Sequence, residues 1–181
     1  MLPDQTDFLD RIFAALEELC YFEVPEELID HSTKIKVGNG QYDVPYPLDH
    51  ICYRVGTQER YRSLKADLLE SNELLAETLI NGRPIATFRL TEPLVYKDRR
   101  IELLELPSPK KGSAYEEGYE HVEFAIGENP ANWLFRYPNL DWDKKGLDKK
   151  VNSDLRLKLG KSMSVKFHEH SLDYVIRYLD K

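Results

Sequence analysis

Apolar positions recur along this chain with two different periods, and the change of period divides it. In FLDRIFAALEELC, Phe8, Ile12, Phe13, Leu16 and Leu19 or Cys20 fall three and four apart, the spacing that lines one face of an α-helix. Asp7, just before the run, is available as an N-cap. VPEELIDHSTK predicts a second, short helix from Pro25, because proline suits a first helical turn and Glu26 and Glu27 favour its positive end. VGNGQYDVPYP then breaks regularity and reads as the link to the rest.

Beyond the link, alternation takes over. DHICYRV, Asp49 to Val55, predicts a strand, and TQERYRSLKADLLESN a helix with Tyr61, Leu64, Leu68 and Leu69 as its apolar stripe. ELLAETLI and PIATFRL flank Asn81-Gly82, the dipeptide suited to a tight type I′ hairpin. RRIELLELP, Arg99 to Pro107, is a further strand, closed by the loop SPKKGSAYEEG. The second half repeats the order less cleanly: strand YEHVEFAI, helix-like NPANWLFRYP, charged loop NLDWDKKGLDKK, a hairpin of DLRLKL and SMSVKFH, and a final helix SLDYVIRYL. One strand of the second set is missing or hidden around Trp142 to Val151. A duplicated βαβββ unit in an α+β fold is the economical reading.

Composition narrows the function classes. With 181 residues, 41% of them hydrophobic, the chain can bury one substantial core. A net charge of −7 and a pI near 5.3 repel phosphate backbones, so nucleic acid is not an expected partner. The basic tract KKGLDKK, Lys144 to Lys150, is interrupted by an acid and reads as a solvated loop. Cys20 and Cys52 lack metal-ligand spacing, and nothing near Met1 resembles a secretory leader, which points to a reducing cytoplasm. No apolar run approaches the ~20 residues of a membrane helix.

Strand alternation also selects the chemistry, because side chains two apart share a face. His50, Cys52 and Arg54 share one face of DHICYRV, His121 and Glu123 one face of YEHVEFAI, and Lys166 and His168 one face of VKFH. In IELLELP one register groups Ile101, Leu103 and Glu105, the other Glu102, Leu104 and Leu106. If the Glu105 face joins the polar faces, a carboxylate points at two imidazoles, a set that suits a divalent metal with open positions. Taken alone, a strand histidine is more often a hydrogen-bonded core or surface residue. Glu105 alone reads as a surface carboxylate, and Lys166 as a solvated strand lysine. His121, in the equivalent place of the second unit, shifts that balance. Glu123 is either a ligand or the partner that fixes an imidazole. His170 falls in a loop ahead of the N-cap Ser171, His31 suits a helix C-terminus, and Arg83 belongs first to the hairpin turn. P-loop, dinucleotide and nucleophile-elbow motifs do not occur.

DHICYR, INGRPI followed by FRLTEP, ELPSP from Glu105 to Pro109, GYEHVEF and VKFHEHS, in this order, resemble the YecM-type proteins. That family is similar to the vicinal oxygen chelate superfamily of glyoxalase I, bleomycin-resistance proteins and extradiol dioxygenases. The resemblance runs from about Pro45 to the C-terminus. It implies paired βαβββ modules, about residues 47–110 and 117–181, curling as a mixed sheet around a cleft, in a domain of residues 45–181 preceded by a helical extension at 1–44. It further implies a divalent ion (zinc, iron, nickel or manganese) on His50, Glu105 and His121. The fourth superfamily ligand is usually a glutamate on the last strand, where this chain has Lys166 and His168, with Glu123 as the substitute. On this reading Glu123 and Lys166 serve catalysis, and Arg54, Arg83 and His168 hold a small, anionic, oxygen-rich substrate, in a monomer or homodimer. Two other readings stand beside it: a metal-free protein that sequesters a small molecule in the same cleft, and an interaction module acting through the N-terminal helices.

Overall fold

The computed structural model describes residues 2–20, 35–37, 41–43, 46–97, 99–112, 116–160 and 163–179. The N-terminal periodicity forms α1 (Thr6–Cys20). Its stripe of Phe8, Leu9, Ile12, Phe13 and Leu16 belongs to the same hydrophobic core as the sheet. Phe13 stacks on Tyr96 and meets Phe124 edge-on, while Tyr96 Oη donates to Asp10 Oδ1 at 2.7 Å. The helix expected from Pro25, and His31 with it, lie outside the described residues. The expected break at VGNGQYDVPYP contains a short ribbon instead, β1 (Ile35–Val37) paired antiparallel with β2 (Gln41–Asp43). Ile35, Val37 and Tyr42 are strong strand formers, which sequence punctuation outweighed.

Two units of one plan follow. The first is β3 (Leu48–Arg54), α2 (Gln58–Leu69), β4 (Glu73–Ile80), β5 (Arg83–Tyr96) and β6 (Arg99–Pro107). Thr57 caps α2 by accepting the Arg60 N–H at 3.1 Å, and Tyr61, Leu64 and Leu68 are buried. Leu69, expected in that stripe, is 48% exposed, because the helix ends at its own position. Asn81 and Gly82 turn β4 into β5 with φ of 53° and 73°, the left-handed pair a type I′ turn requires. β5 runs further than expected, past an irregularity between Arg89 and Leu94 that accommodates Pro93.

The second unit is β7 (Gly118–Ala125), α3 (Asn132–Arg136), β8 (Trp142–Asp143), β9 (Asp154–Lys158) and β10 (Ser164–His168). The hidden strand is thus β8, two residues inside what reads as a charged loop. Trp142 explains it: the ring is buried against Phe167 and Trp133, and its Nε1–H donates to Tyr137 O at 2.9 Å. A 3₁₀ turn (Lys145–Asp148) follows, at which Gly146 lies so close to Asp154 that a Cβ would collide with it. The final helix, α4 (Leu172–Tyr174), capped by Ser171 as expected, relaxes into a π-helical turn (Val175–Leu179).

All but the ribbon strands form one eight-stranded mixed sheet in the order β4-β5-β6-β3-β7-β10-β9-β8. β3 and β7 pair antiparallel at its centre; each pairs parallel with the last strand of its own unit. The units are therefore related by a pseudo-twofold through the Ile51–Val122 pair. Ile51, Tyr53, Val122, Phe124, Val165 and Phe167 join the helices in the core, each large side chain stabilising it by about 1.5–3 kcal/mol. The opposite face of the same strands carries the polar residues. This is an α+β fold with an open, curled sheet, as the paired-unit reading predicts. No helix among the described residues is long and apolar enough to cross a membrane.

Candidate metal centre

The registry of the central strands decides which side chains meet. His50 lies opposite Glu123, and Cys52 opposite His121, across the β3–β7 pair. Cys52 lies beside Glu105 on β6, and Glu123 beside Lys166 on β10. Four donors consequently converge: one ligand atom each of His50, Glu105, His121 and Glu123, all within 4.8 Å of one another. His50 Nε2 is 3.3 Å from Glu123 Oε1 and 3.8 Å from Glu105 Oε2. His121 Nε2 is 3.1 Å from Glu123 Oε1 and 3.9 Å from Glu105 Oε2.

His50, His121 and Glu123 are buried and Glu105 half-buried in the lining of a cavity of about 520 Å³, so their charges act at close range. Burial would push the His50 imidazole down, but Glu123, Asp49 and Glu105 around it lift it to about 10. Burial and the Lys166 ammonium oppose protonation of His121, and Cys52 and Glu120 outweigh them, so it too is raised. Glu123 is held well below the usual carboxylate range: Lys166 and His50 overcome its burial. Lys166 is raised in turn, because Glu123 and Glu105 outweigh its burial. Its Nζ donates to Glu123 Oε1 at 2.5 Å and lies 3.1 Å from His121 Nε2.

The donor set fits a divalent ion on the tautomer of His50. Its Nδ1 meets Asp49 Oδ2 at 2.9 Å, and Asp49 is itself fixed by the Leu172 backbone N–H at 2.8 Å. A proton held on Nδ1 leaves the Nε2 lone pair facing the cluster, where that buried atom has no hydrogen-bond partner in the structure. Carboxylate support behind a ligating imidazole is the usual second half of such sites. His121 has weaker support, with Glu120 Oε2 3.7 Å from its Nδ1; the imidazole pulls Glu120 down to about 2.

Asp49 escapes a reading based on alternation because β3 bulges there. Leu48 faces Phe124 and His50 faces Glu123, so the residue between is extra, and a bulge re-aims its side chain. The sequence signal was the repeated acid-histidine pair, Asp49-His50 and Glu120-His121. Of the other expected residues, Arg83 lines the cavity. Arg54 does not; its Nη1 is 3.3 Å from Glu120 Oε1 at the strand end. His168 is buried behind Glu123, 3.6 Å from its Oε2, with its Nδ1 on the His170 carbonyl at 2.6 Å. Burial lowers its imidazole, which favours the neutral ring.

Comparison with known proteins agrees with this architecture. The family model described as "YecM protein" matches residues 6–178. Protein YecM of Escherichia coli K12 is 37% identical over 89 residues, covering 48% of this chain and 46% of that protein. An uncharacterised protein of Haemophilus influenzae Rd is 30% identical over 95 residues, covering 50% of each. The matched part of the chain thus spans about half the length of these curated relatives. A solved structure titled "Structural Genomics, Protein EC4020" superposes with a TM-score of 0.67 at 26% identity, over 94% of this chain and 88% of that one.

Proposed function

The chain belongs to the YecM family, with an α+β fold consistent with the glyoxalase-like one, and from that premise we propose that it is a divalent-metal enzyme for a small, oxygen-rich substrate. The convergence of His50, Glu105, His121 and Glu123 in the lining of one cavity carries this reading. The ion, of zinc, iron, nickel or manganese type, would supply Lewis acidity toward two adjacent substrate oxygens. The chain's own residues do the rest. Asp49 keeps the His50 lone pair directed into the site. Glu123 is ionised beside Lys166, and is the carboxylate positioned to accept a substrate proton once the ammonium turns to an anionic substrate. Lys166 supplies positive charge where an anionic intermediate would form, and the burial of these groups limits access of water.

A second reading has an observation of its own. The Lys166 ammonium already contacts two of the four donors, and a cation in that position can neutralise the carboxylates without an ion. The protein would then bind a small molecule without turnover. Metal analysis separates the two, using protein purified without a histidine tag and incubated with each candidate ion. Stoichiometric metal in the wild type and its loss in His50→Ala/His121→Ala are expected for the enzyme. Equally little metal in both proteins with every ion overturns it.

A further inference from the structure

The turn that follows β10 serves the cavity and the donor cluster at once. Leu172, Val175 and Ile176 belong to the cavity lining. The backbone N–H of Leu172 donates to Asp49 Oδ2 at 2.8 Å, and the same oxygen meets His50 Nδ1 at 2.9 Å. One carboxylate oxygen thus joins a wall of the cavity to a donor of the cluster. The Asp49 side chain is only 7% exposed, so a donor lost there is poorly replaced by water.

Polar tethers, more than burial, hold this segment in place. None of Leu172–Tyr174 is buried, and of Val175–Leu179 only Val175 is. Asn152 grips the backbone just ahead of it: Oδ1 accepts the His170 N–H and Nδ2 donates to the His170 carbonyl, each at 3.0 Å. His168 Nδ1 donates to the same carbonyl at 2.6 Å, and Asp173 pairs with Arg89 of β5. A segment with so few buried apolar groups lies at the low end of local stability. Single hydrogen bonds and ion pairs therefore decide how firmly it docks.

We propose that this turn, residues 170–179, is a positioning element for the metal ligand His50, and that its docking and the binding of an ion at His50 are coupled through Asp49. The inference rests on the metal reading given above. An ion on Nε2 draws electron density from the ring and makes the Nδ1–H a stronger donor to Asp49. Asp49 is thereby fixed where it accepts the Leu172 N–H. Without that N–H the carboxylate is free to rotate, and the imidazole loses the partner that aims its lone pair. Coupling of this kind is reciprocal: an ion that gains from a docked turn must dock the turn more firmly. The part of the cavity lined by Leu172, Val175 and Ile176 is then most firmly built when the ion is bound.

Leu172→Pro tests the shared oxygen, because it deletes the N–H. Ser171, at φ −58° and ψ 149°, already has the extended conformation that proline requires of the residue before it, and proline suits a first helical position. Leu172→Ala keeps the N–H and controls for the lost side chain. Ion affinity is measured on the full chain without a histidine tag, by competition with a chromogenic chelator for zinc, iron, nickel and manganese. Amide exchange of residues 173–179 is followed by mass spectrometry with and without the ion. In the wild type and in Leu172→Ala the ion should slow exchange across the turn. In Leu172→Pro the slowing should disappear, and affinity should fall about tenfold below that of Leu172→Ala. Arg89→Gln, which releases Asp173 and leaves Asp49 and the four donors in place, should speed exchange without the ion and lower affinity about two- to fivefold. The wild-type comparison and the Arg89→Gln arm stand without the proline variant. Ion uptake by a wild type whose turn exchanges no more slowly, or equal affinity in Leu172→Pro and Leu172→Ala, overturns the coupling and leaves the metal reading standing. Faster exchange in Arg89→Gln at wild-type affinity overturns the coupling as well. No uptake of any of the four ions by the wild type overturns both.

Discussion

The two βαβββ units share a plan but not a division of labour. Under the pseudo-twofold, His50 corresponds to His121, Cys52 to Glu123 and Glu105 to Lys166. A fully symmetric site would repeat histidine and glutamate. Here the second unit keeps its histidine, replaces the glutamate with Lys166, and restores the carboxylate on the neighbouring strand as Glu123. The scaffolds differ in the same direction: β4 and β5 span 8 and 14 residues, while β8 and β9 span 2 and 5. The first unit thus contributes the longer strands to the cavity, with Arg83 among the lining residues. The second leaves its side to the loop at Lys150 and to α4. Duplication supplies the central strands and their histidines, and divergence of the flanks supplies the rest of the cavity lining.

The asymmetry of the scaffold can be broken first. Phe88, in the long first unit, and Phe167, in the short second, are both fully buried in one core. Phe88→Ala and Phe167→Ala should each cost about 3–5 kcal/mol. Urea unfolding followed by circular dichroism and by tryptophan fluorescence should stay coincident for both variants. Two separated transitions for Phe167→Ala would mean that the truncated unit folds on its own terms.

The exchange of Glu105 for Lys166 across the twofold comes next. Lys166→Met leaves Glu123 buried without its main cation, a loss of about 3–5 kcal/mol in metal-free protein. Added zinc should recover most of that loss, so the metal-induced rise in Tm should be larger in the variant than in the wild type. An equal rise in both would mean that lysine and ion do not compete for the same carboxylates.

Support behind the two histidines offers a finer contrast. Asp49 is hydrogen-bonded to His50 at 2.9 Å, whereas Glu120 is 3.7 Å from His121. Asp49→Asn should weaken zinc binding about 10–100-fold, and Glu120→Gln clearly less, by competition titration with a chromogenic chelator. A larger effect for Glu120→Gln would reverse the assignment of the better-supported ligand.

The pH dependence should separate metal-free from loaded protein. His50 is raised from the ordinary 6.5 to about 10, so its proton stabilises the metal-free fold fully below 6.5, and that contribution is lost as pH rises toward 10. An ion requires the neutral ring, so zinc affinity should climb by about tenfold per pH unit over the same window for each proton displaced. The gap in Tm with and without zinc should therefore widen with pH. A constant gap would show that no imidazole proton is released on binding.

Much of this was legible in the residues themselves. Helical spacing located α1 and α2, Asn81-Gly82 located the hairpin, and strand alternation put His50, His121, Glu123 and Lys166 on the polar faces of their strands. The failures have local physical causes. β8 was hidden because a two-residue strand has no measurable period, and its real signal is a tryptophan that packs only in three dimensions. Asp49 was missed because a bulge cancels the alternation on which the reading relied. Arg54, expected at the substrate, has its guanidinium 3.3 Å from Glu120 Oε1 at the strand end.

By itself the sequence determined the strands, the side of each strand that is polar, and the repeated acid-histidine pair, because these depend on period and on neighbours along the chain. Only the tertiary structure decided that β3 and β7 lie side by side, that Glu105 and Lys166 occupy equivalent corners, and that Arg83 and Lys150 line the same cavity. Those facts depend on registry between segments far apart in the chain. A shift of one residue in any of the pairings would turn the same polar side chains into the apolar core.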